Sequence, residues 1–430
     1  MKRLSTLFGA LMVLGAAGAA CNSGEPAAED DGSGASGAGT PTGDPGNQPY
    51  VHMSEAELSR MVTTLASDEM DGRDEGTAGS QLARTFIIEE MMRCGIQPAV
   101  AGSFEQPITT GAGVNVVGVI PGSDPALAER HVMISAHYDH LGHGNGEIYN
   151  GADDNAAGVA IILGVGCALA ENPPAKSVVI ASWDAEEPPT FLSPQMGSQY
   201  YVDNPVLPLE LLDASLVLDL VGSDVWPGYE AHFLVGAELS PQVGAAIANA
   251  PLPEGLPAVR MGLHLAEEQP TGHQPWSDYN AFRNAGKPVV FFSNAQNKRY
   301  HTPADELATL NLPKMEREAQ YLYEITKNLA SSPETPVFVP DGADYLTDAT
   351  SARTVLEAAV APGGLADSLG LNAQSRAALE SDLADIAVIE QTLLNGGSIG
   401  VNEIRRLRDG AQRIMCLAGS TYAEGICTLF

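Results

Sequence analysis

Five short stretches of the sequence carry side chains of the kind that bind metal ions, most of them where an apolar run ends. His137 and Asp139 follow Val132 to Ala136, Asp153 and Asp154 precede an apolar stretch, Glu186 and Glu187 follow Val178 to Trp183, Asp219 follows Leu216 to Leu218, and His301 stands before Thr302 and Pro303. Imidazole nitrogens and carboxylate oxygens suit zinc, and a carboxylate on an imidazole's other nitrogen fixes its tautomer. Adjacent carboxylates repel unless a cation compensates them. A helix N-cap accounts for one of Asp153 and Asp154, and a metal-bridging carboxylate accounts for the pair. In Glu186 and Glu187 the roles must differ: one binds metal, and the other, desolvated beside it, acts as general base on a water.

Each stretch alone has an ordinary reading: a buried histidine, a capped helix, a solvated acidic loop. Together, His137, Asp154, Glu187, Asp219 and His301 supply two imidazoles and three carboxylates, enough for two zinc ions that share one carboxylate. The ions bring four positive charges against three negative ones, and the residue lowers the pKa of a bound water to about 7. Glu186 then accepts its proton. His140 and His143 are alternative imidazoles beside His137, but the five-residue scheme is preferred. The sequence contains no His-Glu-x-x-His pattern and no phosphate-cradling Gly-Lys-Ser/Thr loop.

Positioning these residues is the task of short Val- and Ile-rich runs: Val114 to Ile120, Val132 to Ala136, Ser177 to Trp183, Ala214 to Leu220 and Lys287 to Phe292. These read as buried strands. Helical stretches lie between several of them, notably Asn155 to Ala170, and the alternation predicts an α/β sandwich around a mostly parallel sheet, whose carboxyl edge is where ligands sit. Ser54 with Glu57 predicts a helix start ahead of Leu58, Met61, Val62 and Leu65. A second helix is expected over Ser80 to Cys94. Thr302, Pro303 and Asp305 predict another start, ahead of Leu310 to Leu329. Pro333, Pro336 and Pro340 mark a linker over 332–351. From 352 to 430 the periodicity predicts a small helical C-terminal domain, with Leu379, Leu383, Ile386, Ile389 and Leu393 as a packing stripe and no visible chemistry.

Residues 1–21 combine Lys2 and Arg3, the apolar stretch Leu7 to Val13, and small residues up to Cys21, the pattern of a signal peptide. The small residues suggest a lipoprotein signal with Cys21 as the lipidated residue, although Gly18 stands where such signals usually carry Leu; ordinary cleavage is the alternative. No later stretch is expected to reach the length a bilayer needs. Residues 22–50 are an acidic Gly/Ser/Pro linker without the apolar side chains to fold, and the catalytic domain is expected over 51–331. An extracytoplasmic location, in the cell envelope or secreted, follows, and it permits disulfides. Cys416 and Cys427 are the expected pair. Cys167 reads as a buried free thiol, with a bridge to Cys94 as the alternative. The formal net charge of −32 over 430 residues argues against nucleic acid and anionic membrane surfaces as partners, leaving a lipid anchor as the route to a membrane. The sequence does not fix the oligomeric state.

Ser135 to Gly142, Gly151 to Asn155, Ala185-Glu186-Glu187, Leu218-Asp219 and Tyr300-His301-Thr302 stand in the order and context of the dinuclear zinc aminopeptidase family. That family includes bacterial leucyl aminopeptidases, glutamate carboxypeptidase II and the transferrin receptor, and the resemblance spans about His52 to Leu329. It implies a three-layer α/β/α sandwich. It also implies that His137 and Asp219 hold one zinc, that Glu187 and His301 hold the other, and that Asp154 bridges them. Glu186 matches the general base and Asp139 the carboxylate that orients His137. Asp71-Gly72-Arg73 with Gly76, Thr77 and Gly79 resembles a structural signature. Ser277 and Asp278 fall near the family's substrate pocket.

The implied activity is hydrolysis of the N-terminal peptide bond of peptides, with a hydroxide between the metals as nucleophile. A carboxypeptidase, an amidohydrolase or a glutaminyl cyclase would keep the fold and change the substrate, and a non-catalytic binding module, as in the transferrin receptor, is the reading from another class. One departure stands out: residues 188–196, with Pro188, Pro189 and Pro194, replace the family's short Gly-Leu-rich connection beside the metal site.

Overall fold

Runs of β-branched residues too apolar to face water on either side become the centre of a nine-stranded sheet. The computed structural model describes residues 48–269 and 272–418. The strands are β1 (Gln97–Pro98), β2 (Glu105–Pro107), β3 (Val114–Ile120), β4 (His131–His137), β5 (Ser177–Trp183), β6 (Leu212–Leu218), β7 (His232–Val235), β8 (Ala258–Met261) and β9 (Val289–Ser293). They lie in the order β1-β3-β5-β4-β6-β9-β7-β8, with β2 also paired to β3. Strands β5, β4, β6 and β9 are mutually parallel, so their carboxyl ends share one edge. β3 runs against β5, and β7 runs against β9.

Alternate residues of each strand face opposite layers. Val132, Ile134, Val178 and Ile180 pack with helices α1 (Glu55–Leu65), α2 (Ala78–Arg93), α3 (Ala157–Glu171) and α4 (Leu312–Ser331). Met133, Val179 and Ala181 pack with Tyr201, Tyr279 and Phe282 from the short helices Gly197–Asp203 and Tyr279–Asn284. The result is the expected three-layer sandwich. The segment Ala152–Glu171, with mean hydropathy 1.4, is long and apolar enough to cross a membrane, contrary to the sequence expectation, but it is wholly buried as the core helix under the sheet.

Two helix starts differ from those predicted. No helix begins at Thr302; α4 begins at Leu312, where the Asn311 side chain accepts from the Lys314 amide at 3.1 Å and Pro313 sits in the first turn. Asp305 is drawn into the metal-ligand region instead, as described below. Helix α5 (Tyr345–Val360) starts inside the predicted 332–351 linker because Asp344 caps it through the Thr347 amide. It packs with α6 (Ala373–Leu394) and α7 (Val401–Ala418), and Leu379, Ile386 and Ile389 of the predicted stripe are buried. These helices share an apolar cluster with Val225, Trp226, Val259, Met261 and Leu265, so they are built onto the sheet's β8 edge.

Cys167 is no free thiol: it is joined to Cys94 at the end of α2. Cys21 and Cys427 lie outside the described residues, and with them the lipidation and the Cys416–Cys427 bridge.

Candidate metal centre

Sharp turns after three parallel strands aim the acidic and imidazole side chains at one point. His137 is the last residue of β4, beside Trp183 at the end of β5. Beyond β5 and β6 the chain reverses through Ala185 (φ 61°) and Leu220 (φ 56°), and His301 itself sits at φ 56°. Left-handed backbone is uncommon for residues other than glycine, and three cases around one cleft mark a constrained site. Asp154 comes from the turn Ala152–Ala156 that leads into α3.

The structure brings His137, Asp154, Glu187, Asp219 and His301 together, with Glu186 among them. His137 Nε2 lies 3.4 Å from both Asp219 Oδ1 and Asp154 Oδ1, and 3.9 Å from Glu186 Oε2. His301 Nε2 lies 3.3 Å from Asp154 Oδ2 and 3.1 Å from Glu187 Oε2. Asp154 thus turns one oxygen to each side. The ligand atoms of His137, Glu186 and Asp219 fall within 4.8 Å of one another, and so do those of His140, Asp154 and Glu187.

Asp139 sits between the two sides: its Oδ2 accepts from the Glu187 amide at 3.1 Å and its Oδ1 lies 3.5 Å from His137 Nδ1. His140, set aside in the sequence reading, is buried with Nδ1 2.8 Å from Glu187 Oε1. Its ring rests against Gly151, where a β-carbon would come within 2.6 Å of it. His143 lies exposed, paired with Asp71. Ser277 and Asp278, expected at the substrate, are fully buried and do not line the cavity. The helix that follows them buries Tyr279 and Phe282 in the core, which draws them inward. Asp278 is pushed up to about 7, by burial first.

The electrostatics show a site that calls for cations. Burial alone would lower the His137 and His301 imidazoles, yet neighbouring carboxylates carry His137 well above its ordinary value and His301 up to about 10. Burial pushes Asp154 up, but His140, His137 and His301 together hold it well below the usual carboxylate range. Glu186 is raised well above that range, by burial first and then by Asp219, Asp278 and Glu187. A proton on each imidazole stands in for stronger positive charge. Asp154 Oδ2 and His301 Nε2 are also buried without a hydrogen-bond partner among the described residues, although 3.3 Å apart. Atoms that are close but misaligned for hydrogen bonding suit ligands that converge on a third centre, so the donor set fits zinc.

Four residues hold the loops that carry these ligands. Arg73 is fully buried and donates to the carbonyls of Tyr138 (2.7 Å), Leu65 (2.6 Å), Asn150 (2.6 Å) and Gly151 (2.9 Å), tying the His137 and Asp154 loops together. Its neighbour Gly72 has φ 67°, and a β-carbon there would meet Gly142 O at 2.5 Å. Asp305 accepts from the amides of Asp153 (2.9 and 3.1 Å) and Asp154 (3.0 Å). Asp153 in turn accepts from Gly222 and Ser223, and Asn155 donates to Leu218 O, so both fasten the Asp154 turn to the Asp219 loop. Asp153 is pushed up to about 7, by burial first. In the sequence Asp305 read as part of a helix start, and its place four residues after His301 was the only signal that could have drawn it to this site.

Beside the carboxylates opens a cavity of about 290 Å³. Pro188, Phe191 and Leu192 of the 188–196 loop form one part of its wall, and Trp276 another. No Lys or Arg is among the described residues that line it.

Residues 115–326 match peptidase family M28. The chain is 28% identical over 284 residues to the uncharacterized protein YfbL of Escherichia coli (strain K12), covering 61% of this chain and 85% of that one. Its fold is similar to the LapA aminopeptidase of Legionella pneumophila (TM-score 0.53, 16% identity, 67% of this chain and 75% of that chain). It is also similar to BSAP, a zinc aminopeptidase from Bacillus subtilis (TM-score 0.51, 14% identity, 67% and 98%). Likeness at these identities shows the fold, and the family match over residues 115–326 supports a metallopeptidase.

Proposed function

For a chain whose residues 115–326 form a peptidase family M28 domain, we propose an aminopeptidase that works with two zinc ions. The observation that carries this reading is the divided Asp154 carboxylate, one oxygen toward His137 and Asp219 and the other toward His301 and Glu187. Two zinc ions held there would supply Lewis acidity, lowering the pKa of a water and polarising the scissile carbonyl.

The chain's own residues do the rest. Glu186, whose carboxyl readily takes a proton in its buried position, removes one from the attacking water as oxygen bonds to the carbonyl carbon. It then gives that proton to the leaving nitrogen as the C–N bond breaks. Asp139 holds His137 from one oxygen and the Glu187 amide from the other. Specificity for the amino end is supported by charge. A free α-ammonium entering the cavity meets the carboxylates of Glu186 and Asp219, whereas a free α-carboxylate would find no Lys or Arg among the described lining residues. The Cys94–Cys167 bridge supports an extracytoplasmic location, since such bonds persist in oxidising compartments.

The test compares free and N-acetylated peptides, and Glu186→Gln with Glu187→Gln. Free peptides should be cleaved and acetylated ones spared. Glu186→Gln should retain both metals and lower kcat by about 10²- to 10⁴-fold; Glu187→Gln should lose zinc and partly recover with excess zinc. Cleavage of the acetylated peptides alone, or full activity in both variants, refutes the reading.

A further inference from the structure

The C-terminal helices lie outside the 115–326 match, and the sequence assigned them no chemistry. The cavity beside the ligands nevertheless ends on them: Val355 of α5 and Ala411 and Ile414 of α7 line it together with Phe233, Met261 and Phe291 from strands β7, β8 and β9. Val355 is 1% and Ile414 4% exposed, so this wall is interior. It is also packed from behind. Val355 and Ile414 belong to the cluster that includes Val259, Met261 and Leu265, and Gln412 reaches the Leu265 carbonyl.

We propose that α5 and α7 form the floor of the pocket for the substrate's first side chain and select bulky apolar residues there. This rests on the aminopeptidase reading. The occupant follows from continuity: the same cavity that ends on Val355 and Ile414 begins at Asp154, Glu186, Glu187, Asp219 and His301. An amino-terminal residue with its α-ammonium at the carboxylates projects its side chain into this apolar end. The floor contains no charged group among its described residues, and its one amide, Gln412, already donates to the Leu265 carbonyl, so a Lys or Asp side chain would lose its hydration there without gaining an opposite charge, while Leu or Phe gains buried contact.

The experiment measures kcat/KM for Phe-, Leu-, Ala- and Lys-p-nitroanilide with the full chain, its Ile414→Trp variant and its Ile414→Ala variant, each checked for zinc content and thermal unfolding. Wild type should prefer Phe and Leu. Ile414→Trp should lower the Phe rate about tenfold or more while changing the Ala rate little, because hydrophobic-pocket volume discriminates on that scale. Ile414→Ala, which removes atoms and adds no clash, should raise the Phe:Ala ratio severalfold. Calorimetric binding of phenylalaninol and alaninol to the same proteins gives the comparison without turnover. If the Phe:Ala ratio and the phenylalaninol affinity are unchanged in folded, zinc-loaded variants, the helices are not the floor. Preference for Lys overturns the apolar assignment. A wild type that cleaves none of the four substrates but binds phenylalaninol more tightly than alaninol refutes the aminopeptidase reading and leaves the floor assigned.

Discussion

Replacing Arg73 tests whether a residue that touches no ligand side chain sets the metal affinity. Arg73 is fully buried, and its pKa is pushed down to about 10, by burial above all, so the guanidinium is still charged at neutral pH. It donates to four carbonyls, on Leu65, Tyr138, Asn150 and Gly151. In Arg73→Met the charge is gone and these carbonyls lose their guanidinium donor, although that of Gly151 keeps the Ala156 amide at 3.2 Å, and each group left unpaired costs about 1–3 kcal/mol. Relaxation and non-additivity bring the sum to about 3–5 kcal/mol, the usual cost of removing one partner from a buried charged arrangement. Arg73→Lys keeps the charge, but one ammonium cannot reach carbonyls spread as widely as a planar fork does, so about half the loss should remain. Tyr138 follows His137, and Gly151 lies three residues before Asp154. Slack in these two loops should therefore appear as weaker metal binding, about 10- to 100-fold, as for other residues that orient ligands. Urea unfolding measures the first quantity and competition with a chromophoric zinc chelator the second. A loss of stability with zinc affinity intact would refute the positioning argument; loss of neither would refute the packing argument as well.

Asp305→Asn should fold normally yet bind zinc about tenfold or more weakly by the same chelator competition, because an amide oxygen cannot accept from Asp153 and Asp154 as the carboxylate does. His131 is buried and pushed down to about 4, by burial first. The unfolded chain takes up its proton near pH 6.5 and the native state does not, so stability present above that pH is lost as the pH falls toward 4, by roughly 3 kcal/mol at most. The stability–pH curve of His131→Gln should be flatter in that window, and parallel curves would exclude the histidine as a source of the slope. Reducing the Cys94–Cys167 bond, which spans 73 residues, should cost about 4 kcal/mol by loop-closure entropy, seen as a shift in unfolding midpoint that Cys94→Ala reproduces and that dithiothreitol no longer changes in that variant.

The sandwich was legible because buried parallel strands leave continuous apolar runs, and β4, β5 and β6 are buried along their whole length. The five candidate ligands were legible for a related reason: a carboxylate or imidazole at the end of such a run has to answer for its burial. Asp305 was misread because Thr302-Pro303-x-Asp carries the local chemistry of a helix start, and only the distant amides of Asp153 and Asp154 show where its carboxylate goes. Ser277 and Asp278 came only from the resemblance to a family, and how deep they lie is decided by the aromatic residues behind them, Tyr279 and Phe282. Cys94 and Cys167 are separated by 73 residues, and nothing local says that the end of α2 meets the middle of α3.

The pattern in these cases is that residues whose chemistry is local declared their role, whereas for residues that act through another segment's backbone the partners stayed hidden. Arg73, Asp153, Asn155 and Asp305 all bond to main-chain groups of the ligand loops. Main-chain partners are chemically the same at every position, so no residue type on the far side reveals them. The same holds for the C-terminal helices, whose stripe of Leu and Ile looks alike whether it meets other helices or a substrate. Val355 of α5 and Ile414 of α7 differ from the other buried residues of these helices only by what lies opposite, which is the cavity that begins at the carboxylates. A helical addition of this kind can change which side chain is accepted without altering any ligand, because the ligands are fixed from the sheet edge and from Arg73, and the floor is fixed from β8.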